Sequence, residues 1–573
     1  MVVLALWIGI GHFASAQDPR ILSVDGSTRA TGYHEANKII TFGDKTHITW
    51  LDSVAGTGFD VKIKTLDHLT QEWSPTYTIG TAQDNHGGPA LTVDSEGYLH
   101  VAYGPHSAPM KYRKSLLPND ASAWSTEALV GDRLTYPTLL TGPDNTIFMM
   151  ARNRTDSIWT QNFYSLSPGG TWSQPTVLVL GSEPDYFHFE NAVAWGPDHQ
   201  TLHMTLRMYG ETPNWGYKLG YMKSSDFGQT WQTYDGTPIS LPAVDATLDT
   251  IIEIDPSQRG PYENSSSLRG GAIAVDANNV PHLLYNTLEA DGTRPRQAWI
   301  ATPNETGGWN SVLLNDKIDI LPSGWGLGLP GGLTITDDGR MTMVLTMAND
   351  TAQGNLWGTT SSEVLWVESA DGGQTFTSRV ISEIDPNIPH WLPNLEKQTG
   401  FNELMTNNPA VVYTAGQRGS NNNEIVSTEV VLWAEGSNIG WNGILGDVNQ
   451  NGIFSGDGTG PVATDDFSAF LAYWNKRDLP GIFGTRESYM NGDLNLDGKV
   501  DLKDAFLMRK YLIENPFPPE RLESLQKIVP EPGSAALVSM AIAFCLATRM
   551  SQQVPVINLR TLELCRAFIS FDY

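Results

Sequence analysis

A hairpin pattern returns seven times between residues 36 and 436. Each copy has small or polar residues, an apolar run, a turn of Asp, Gly or Asn, and a second apolar run. It reads ANKIITFGDKTHITWLDS at 36–53, PALTVDSEGYLHVAYG at 89–104 and PTLLTGPDNTIFMMAR at 137–152. It continues as NAVAWGPDHQTLHMTLRMYG at 191–210, GAIAVDANNVPHLLYNT at 271–287 and GGLTITDDGRMTMVLTMA at 331–348, with a looser copy at 409–436. Short apolar runs bounded by such turns form strands, and an isolated pair of strands is not stable. Radial repetition buries both faces of every unit and protects the strand edges. The expected fold is therefore all-β, a seven-bladed β-propeller over residues 17–440.

Between the copies lies a second hairpin that ends near an aromatic: Trp73, Trp124, Trp172, Trp231, Trp309 or Phe376. Two of these are Asp boxes, SSDFGQTW (Ser224–Trp231) and SADGGQTF (Ser369–Phe376). The Asp and Gly close a tight turn, and the aromatic plugs the space between sheets. They speak for the fold and not for a reaction.

At 573 residues the chain exceeds one ordinary core. Its two cysteines, Cys545 and Cys565, lie at the far C-terminus, so no disulfide framework supports the main body. A net charge of −27 argues against nucleic acid as a partner. A polyanionic partner would need a locally basic funnel, since salt screens the remaining field beyond roughly 10 Å.

Both ends carry separate signals. MVVLALWIGIGHFASA (1–16) reads as a secretory leader cleaved before Gln17. In GDLNLDGKVDLKD, Asp493, Asn495, Asp497, Asp501 and Asp504 present oxygens at the spacing of a calcium loop, with an amphipathic helix after it. A degenerate partner loop offers Asp447, Asn449 and Asn451, completed by Asp465 or Asp466. Two such loop–helix units over 441–515 resemble a dockerin module, which implies structural calcium and a cohesin-like or cell-surface partner. A calcium-stabilised spacer without such a partner is the alternative. VPEPGSAALVSMAIAFCLATRM (529–550) resembles a PEP-CTERM sorting segment, which implies export to the surface of a Gram-negative bacterium. Its short apolar run suits processing better than a permanent span. Residues 551–573 are left unassigned.

In a propeller, the segment before the innermost strand and the loop after the second strand share one face. His86 and His106 therefore bracket the second hairpin on one rim, and Tyr136 and Arg152 bracket the third on the same rim. Two imidazoles, a phenol and a guanidinium suit β-elimination across a uronic acid. Arginine neutralises the carboxylate, neutral histidine takes the C5 proton, and tyrosine donates to the leaving oxygen. That chemistry requires no catalytic cofactor.

The stretches DNHGGPALTVDSEGYLHVAYGPHSAPMKY and TYPTLLTGPDNTIFMMARN resemble the neuraminidase-repeat propellers that include ulvan lyases. Members use a His pair and then a Tyr and an Arg sixteen positions apart, as here. The resemblance implies an anionic, ulvan-like polysaccharide substrate. It casts His86 as base, Tyr136 as acid, Arg152 as carboxylate neutraliser and His106 as a supporting group. Arg207 and Arg269 are candidates for binding sulfate or carboxylate, with structural salt bridges as the alternative. Trp325 is a candidate sugar platform, with a blade plug as the alternative; His188 and Glu190 are weaker candidates. The competing readings are a non-catalytic carbohydrate-binding propeller and, behind it, a sialidase-like hydrolase, whose early Arg-x-Pro motif the first hairpin lacks.

Overall fold

The structure, a computed structural model, describes residues 21–434 apart from 56–57, 68–71, 156, 182–185, 212–213, 255–267, 288–295, 319–320, 322–323, 337–338, 350–357, 359, 383–386 and 405–408. It then describes 446–449, 460–474, 490–494, 500, 504–505 and 508. The leader, the sorting segment and the tail expected at 1–16, 529–550 and 551–573 lie outside these residues. The chain divides into two compact units, the first reaching Trp441 and the second beginning at Asn442. The regular structure described in the first is β-sheet apart from short 3-10 turns; the second holds the α-helix Asp466–Ala472 and further helical residues at 490, 504–505 and 508.

Every hairpin expected from the sequence forms, and the last differs only in having a further strand on its inner side. Ala90–Val93 pairs antiparallel with Leu99–Tyr103, and Ala192–Trp195 pairs with Leu202–Glu211. Leu268–Val275 leads a four-stranded sheet with Pro281–Thr287, Gln297–Pro303 and Trp309–Leu313. Near the end of the unit the register differs from the reading. Val411–Ala415 is a middle strand, paired on one side to His390–Leu395 and on the other to Thr428–Trp433. Thr428–Trp433 then accepts the N-terminal strand Ile21–Gly26 as its outer neighbour. The innermost strand of this group, HWLPNL, carries a proline and a bulge, which interrupt its apolar run.

The core lies between neighbouring sheets. Leu140 and Met150 of the third hairpin meet Val193, Met204 and Leu206 of the fourth in one buried cluster, closed by Trp231 of the first Asp box. Burying such side chains contributes roughly 2–3 kcal/mol each. The Asp boxes behave as expected. Ser224 Oγ accepts the Gly228 amide at 2.8 Å, and Asp226 Oδ1 accepts that of Thr230 at 2.8 Å. Ser369 and Asp371 repeat both bonds. These bonds fix the outer turns and leave the opposite ends of the hairpins to carry other chemistry.

Candidate active site

The second hairpin delivers both histidines to one carboxylate. Asp84 Oδ1 lies 3.1 Å from His86 Nδ1, and Asp84 Oδ2 lies 2.6 Å from His106 Nδ1. The two imidazoles stack with centroids 4.1 Å apart. Local backbone makes the approach feasible. Gln83 and Gly87 exchange hydrogen bonds with Gly104, and a Cβ on Gly87 would lie 2.4 Å from that of Ala82. Only glycine fits there.

The tautomer of His86 follows from its neighbours. Its Nε2 is 2.9 Å from Arg29 Nη1, and arginine is a donor only, so Nε2 must accept. Nδ1 then carries the proton and donates to Asp84. Burial pushes His86 down to about 4, against the pull of the Asp84 hydrogen bond, and the Arg29 charge lowers it further. Burial alone would raise the Asp84 carboxyl, but bonds from His106 and His86 hold it well below the usual carboxylate range. His86 is thus a neutral imidazole whose lone pair faces Arg29.

Tyr136 stands beside it. It interrupts the strand Ala128–Thr141 with φ of +59°, at a register shift between Thr135 and Thr138. A bulge re-aims a side chain, and a left-handed tyrosine costs about 1–3 kcal/mol, strain of a kind that clusters at working sites. Its ring is 6.0 Å from that of His86, 5.0 Å from Tyr33 and 4.4 Å from His188, on which it stacks. Burial raises its phenol well above 10, which keeps the proton on oxygen.

Arg152 pairs across the strands with Thr135, one residue before Tyr136. Its guanidinium is enclosed by three rings: Tyr136 at 4.7 Å, Trp159 at 4.4 Å and Tyr186 at 5.0 Å. Nη1 donates to Tyr186 Oη at 2.7 Å, and only 2% of the residue is exposed. The structure therefore joins Arg152 to Tyr136 as expected, but places it behind the phenols and off the cleft wall.

A cleft of about 250 Å³ opens over His86 and Tyr136. Arg207, Arg269, Arg29 and Arg418 also line it, a basic concentration in a chain of net charge −27. Arg207 and Arg269 converge on Glu190 Oε1, at 3.0 and 3.3 Å. Glu190 also accepts the Gly270 amide at 3.0 Å and has a left-handed φ of +34°. His188 Nδ1 is 3.4 Å from Arg207 Nη2. The weaker candidates His188 and Glu190 are thus integral to this wall. Trp325 is not: it packs partly buried against the core of Met343 and Leu345 and is absent from the cleft lining. Its packing against that core is the arrangement of the alternative, a plug between sheets.

Sequence reasoning missed Asp84, Arg29, Tyr33, Tyr186 and Tyr209. Asp84 lay two positions before His86, where a carboxylate within reach of an imidazole is a readable signal. Among the described residues, Asp84, His86 and His106 also bring three metal-capable atoms within 4.8 Å of one another. Both Nδ1 atoms are already satisfied by Asp84, and the Arg29 cation covers the remaining nitrogen of His86.

In the second unit, Asp447, Asp466, Asp493 and Asp504 are fully buried. Asp466 accepts the Asn449 amide at 3.0 Å, and Asp465 caps the helix through the Ser468 amide at 2.9 Å. The remaining loop residues Asn451, Asn495, Asp497 and Asp501 lie outside the described residues.

Comparison with known proteins bears on this arrangement. A model of the BNR repeat-containing family matches residues 46–317. The ulvan lyase of Alteromonas sp. (strain LOR) is 28% identical over 163 residues, 24% of this chain and 33% of that protein. The PL25 ulvan lyase of Pseudoalteromonas sp. (strain PLSV) is 26% identical over 385 residues, 58% of this chain and 72% of that protein. A solved PL25 ulvan lyase, bound to -[GlcA(1-4)Rha3S]-, matches with a TM-score of 0.54 at 14% identity, covering 72% of this chain and 95% of that one. The likeness to that solved structure is one of fold. The chain spans about a third of the length of the first two curated relatives, 33% and 31%.

Proposed function

We propose that this protein is a polysaccharide lyase that cleaves a uronate-containing, sulfated, ulvan-like polysaccharide by β-elimination. The observation that carries the reading is a neutral His86, its proton fixed on Nδ1 by Asp84, facing a protonated Tyr136 across a cleft lined by arginines. The ulvan lyases among its relatives favour the same class of substrate.

His86 Nε2 takes the C5 proton as the C5–H electron pair becomes the C4–C5 double bond. The C4–O bond breaks and its oxygen leaves with the proton of Tyr136. Exchange with solvent resets both groups. Arg152, pressed against the Tyr136 ring, stabilises the phenolate that forms, a charge developing within reach of a fixed cation. His106 shares Asp84 with the base and holds the carboxylate ionised. The test is incubation with ulvan and other uronate polysaccharides while following the ultraviolet absorbance of the unsaturated uronate end. Absorbance should rise with the native chain and stay flat with Tyr136→Phe. A Tyr136→Phe variant as fast as the native chain would remove Tyr136 from the chemistry.

The same reading places the hairpins as blades of a seven-bladed propeller whose last blade takes the N-terminal strand, and assigns the protein to the cell exterior. In the second unit, the loop spacing of the buried carboxylates suits a hard cation. Asp447, Asp493 and Asp504 would hold calcium in a dockerin-like module. Chelation should then lower the melting temperature of the second unit alone.

A further inference from the structure

Arg29 differs from every other arginine of the cleft whose contacts are described above. Arg207 and Arg269 share Glu190, and Arg152 is boxed in by aromatic rings. Arg29 has no carboxylate within ion-pair distance among the described residues. Its Nη1 reaches His86 Nε2 and the Tyr33 hydroxyl, its Nη2 reaches Asn422 Oδ1 at 3.4 Å, and its buried Nε has no hydrogen-bond partner. A guanidinium that uses a neutral imidazole as its acceptor is under-satisfied. Such a cation prefers a bidentate carboxylate.

We propose that Arg29 receives the uronate carboxylate, and that in the free protein it caps the lone pair of His86, so that the arriving carboxylate releases the base. This rests on the lyase reading above and assigns its carboxylate-binding group. Arg152 then acts as a positioning residue for Tyr136.

The device has a chemical rationale. While capped, Nε2 cannot take a proton, and the nearby positive charge adds to the burial that holds His86 near 4. A substrate carboxylate draws the guanidinium away and adds a negative charge of its own. Both changes make the imidazole more basic. The groups facing it are Asp84 and His106 from its own hairpin, Arg29 and Tyr33 from the N-terminal turn, and Tyr136 from the third hairpin. Of these, Arg29 alone is a permanent cation.

The test is nuclear magnetic resonance of the side-chain nitrogens of the full chain labelled on its 12 histidines, with His86 identified by its loss in His86→Gln. The ligand is glucuronate, with glucose as the uncharged control. In the native chain, glucuronate should raise the His86 pKa by about one unit or more, since a carboxylate within a few ångströms favours the charged form; glucose should leave it unchanged. Arg29→Gln should weaken glucuronate binding roughly tenfold or more and abolish the shift. Arg152→Gln should retain both. Glucuronate binding that survives Arg29→Gln but is lost in Arg152→Gln would overturn the proposal, as would a native His86 indifferent to glucuronate. That last measurement needs no variant to fold. If no polysaccharide is cleaved yet the Arg29-dependent shift is seen, the lyase reading fails while the carboxylate site stands.

Discussion

The second and fourth hairpins use one construction for two purposes. In each, a buried carboxylate just before the innermost strand grips two nitrogen-bearing side chains. Asp84 holds His86 and His106; Glu190 holds Arg207 and Arg269. Each carboxylate stands in the segment leading into its hairpin, ahead of Ala90–Val93 or Ala192–Trp195, and residue identity decides what its clients can do. Imidazoles exchange protons near neutral pH. Guanidiniums keep their charge and can only bind or brace. Proton chemistry therefore belongs to the second hairpin, while Glu190 braces cations from the fourth hairpin, Arg207, and from the strand Leu268–Val275, Arg269.

The largest effect expected from breaking this pair is on the base. His86→Ala should lower kcat/KM by roughly 10³-fold or more, since general base catalysis alone supplies 10²–10⁴, with little change in folding. An active His86→Ala variant that loses activity on changing His106 would exchange their roles. Asp84→Asn comes next. An amide cannot enforce the Nδ1 proton of His86, and loss of the correct tautomer costs roughly 10²–10⁴-fold where it has been studied. The cost should appear in kcat more than in KM, because no substrate contact is removed. A change confined to KM would make Asp84 a binding group.

Glu190→Gln is the matching change on the other wall, and its effect should fall on stability. It leaves Arg207, only 2% exposed, without its charged partner. Removing one member of a buried pair costs about 3–5 kcal/mol. The lower end is expected here because Arg269 is 24% exposed and keeps solvent contact. Urea unfolding of the two variants would separate them: Asp84→Asn loses the stability of its lowered carboxyl but is chiefly slow, whereas Glu190→Gln is chiefly fragile. Equal stability losses would show that both carboxylates are structural.

The contrast between the walls was partly legible in the sequence. His86, His106, Tyr136 and Arg152 were readable because their places relative to the hairpins repeat. The burial of Arg152 was not, because it depends on a bulge at Tyr136 that period-two alternation cannot foresee. Arg29 was invisible for another reason. It comes from a turn between Ile21–Gly26 and Ile39–Phe42, 57 residues from His86, and nothing in the repeat marks it. The strand His390–Leu395 was missed because its proline and bulge broke the apolar run. Where local pattern set the structure the reading held. Where one segment closed over another, only the fold could show it.

The smallest expected effect sharpens the distinction between titrating and permanent clients. His34, His86 and His203 are each pushed down to about 4 by burial, from an unfolded value near 6.5. As pH falls from 6.5 toward 4 the unfolded chain takes up these protons and the folded chain does not, so stability must fall. Glu35 opposes one of the three. Burial raises it to about 7, so above 4.5 the folded chain keeps a proton that the unfolded chain has lost. Asp84, held low in the folded chain, adds nothing until the pH nears the unfolded carboxylate range. Burial lowers His188, His100 and His282 as well, so several protons remain uncompensated, each worth about 1.4 kcal/mol per pH unit where fully engaged. A loss of at least about 3 kcal/mol is expected between pH 6.5 and 5, read from urea midpoints by tryptophan fluorescence. His86→Gln should flatten that slope by one proton, whereas Glu190→Gln should lower stability at every pH and leave the slope alone. A native chain that grows more stable on acidification would mean that the buried imidazoles are charged, and would remove the neutral base on which the second hairpin depends.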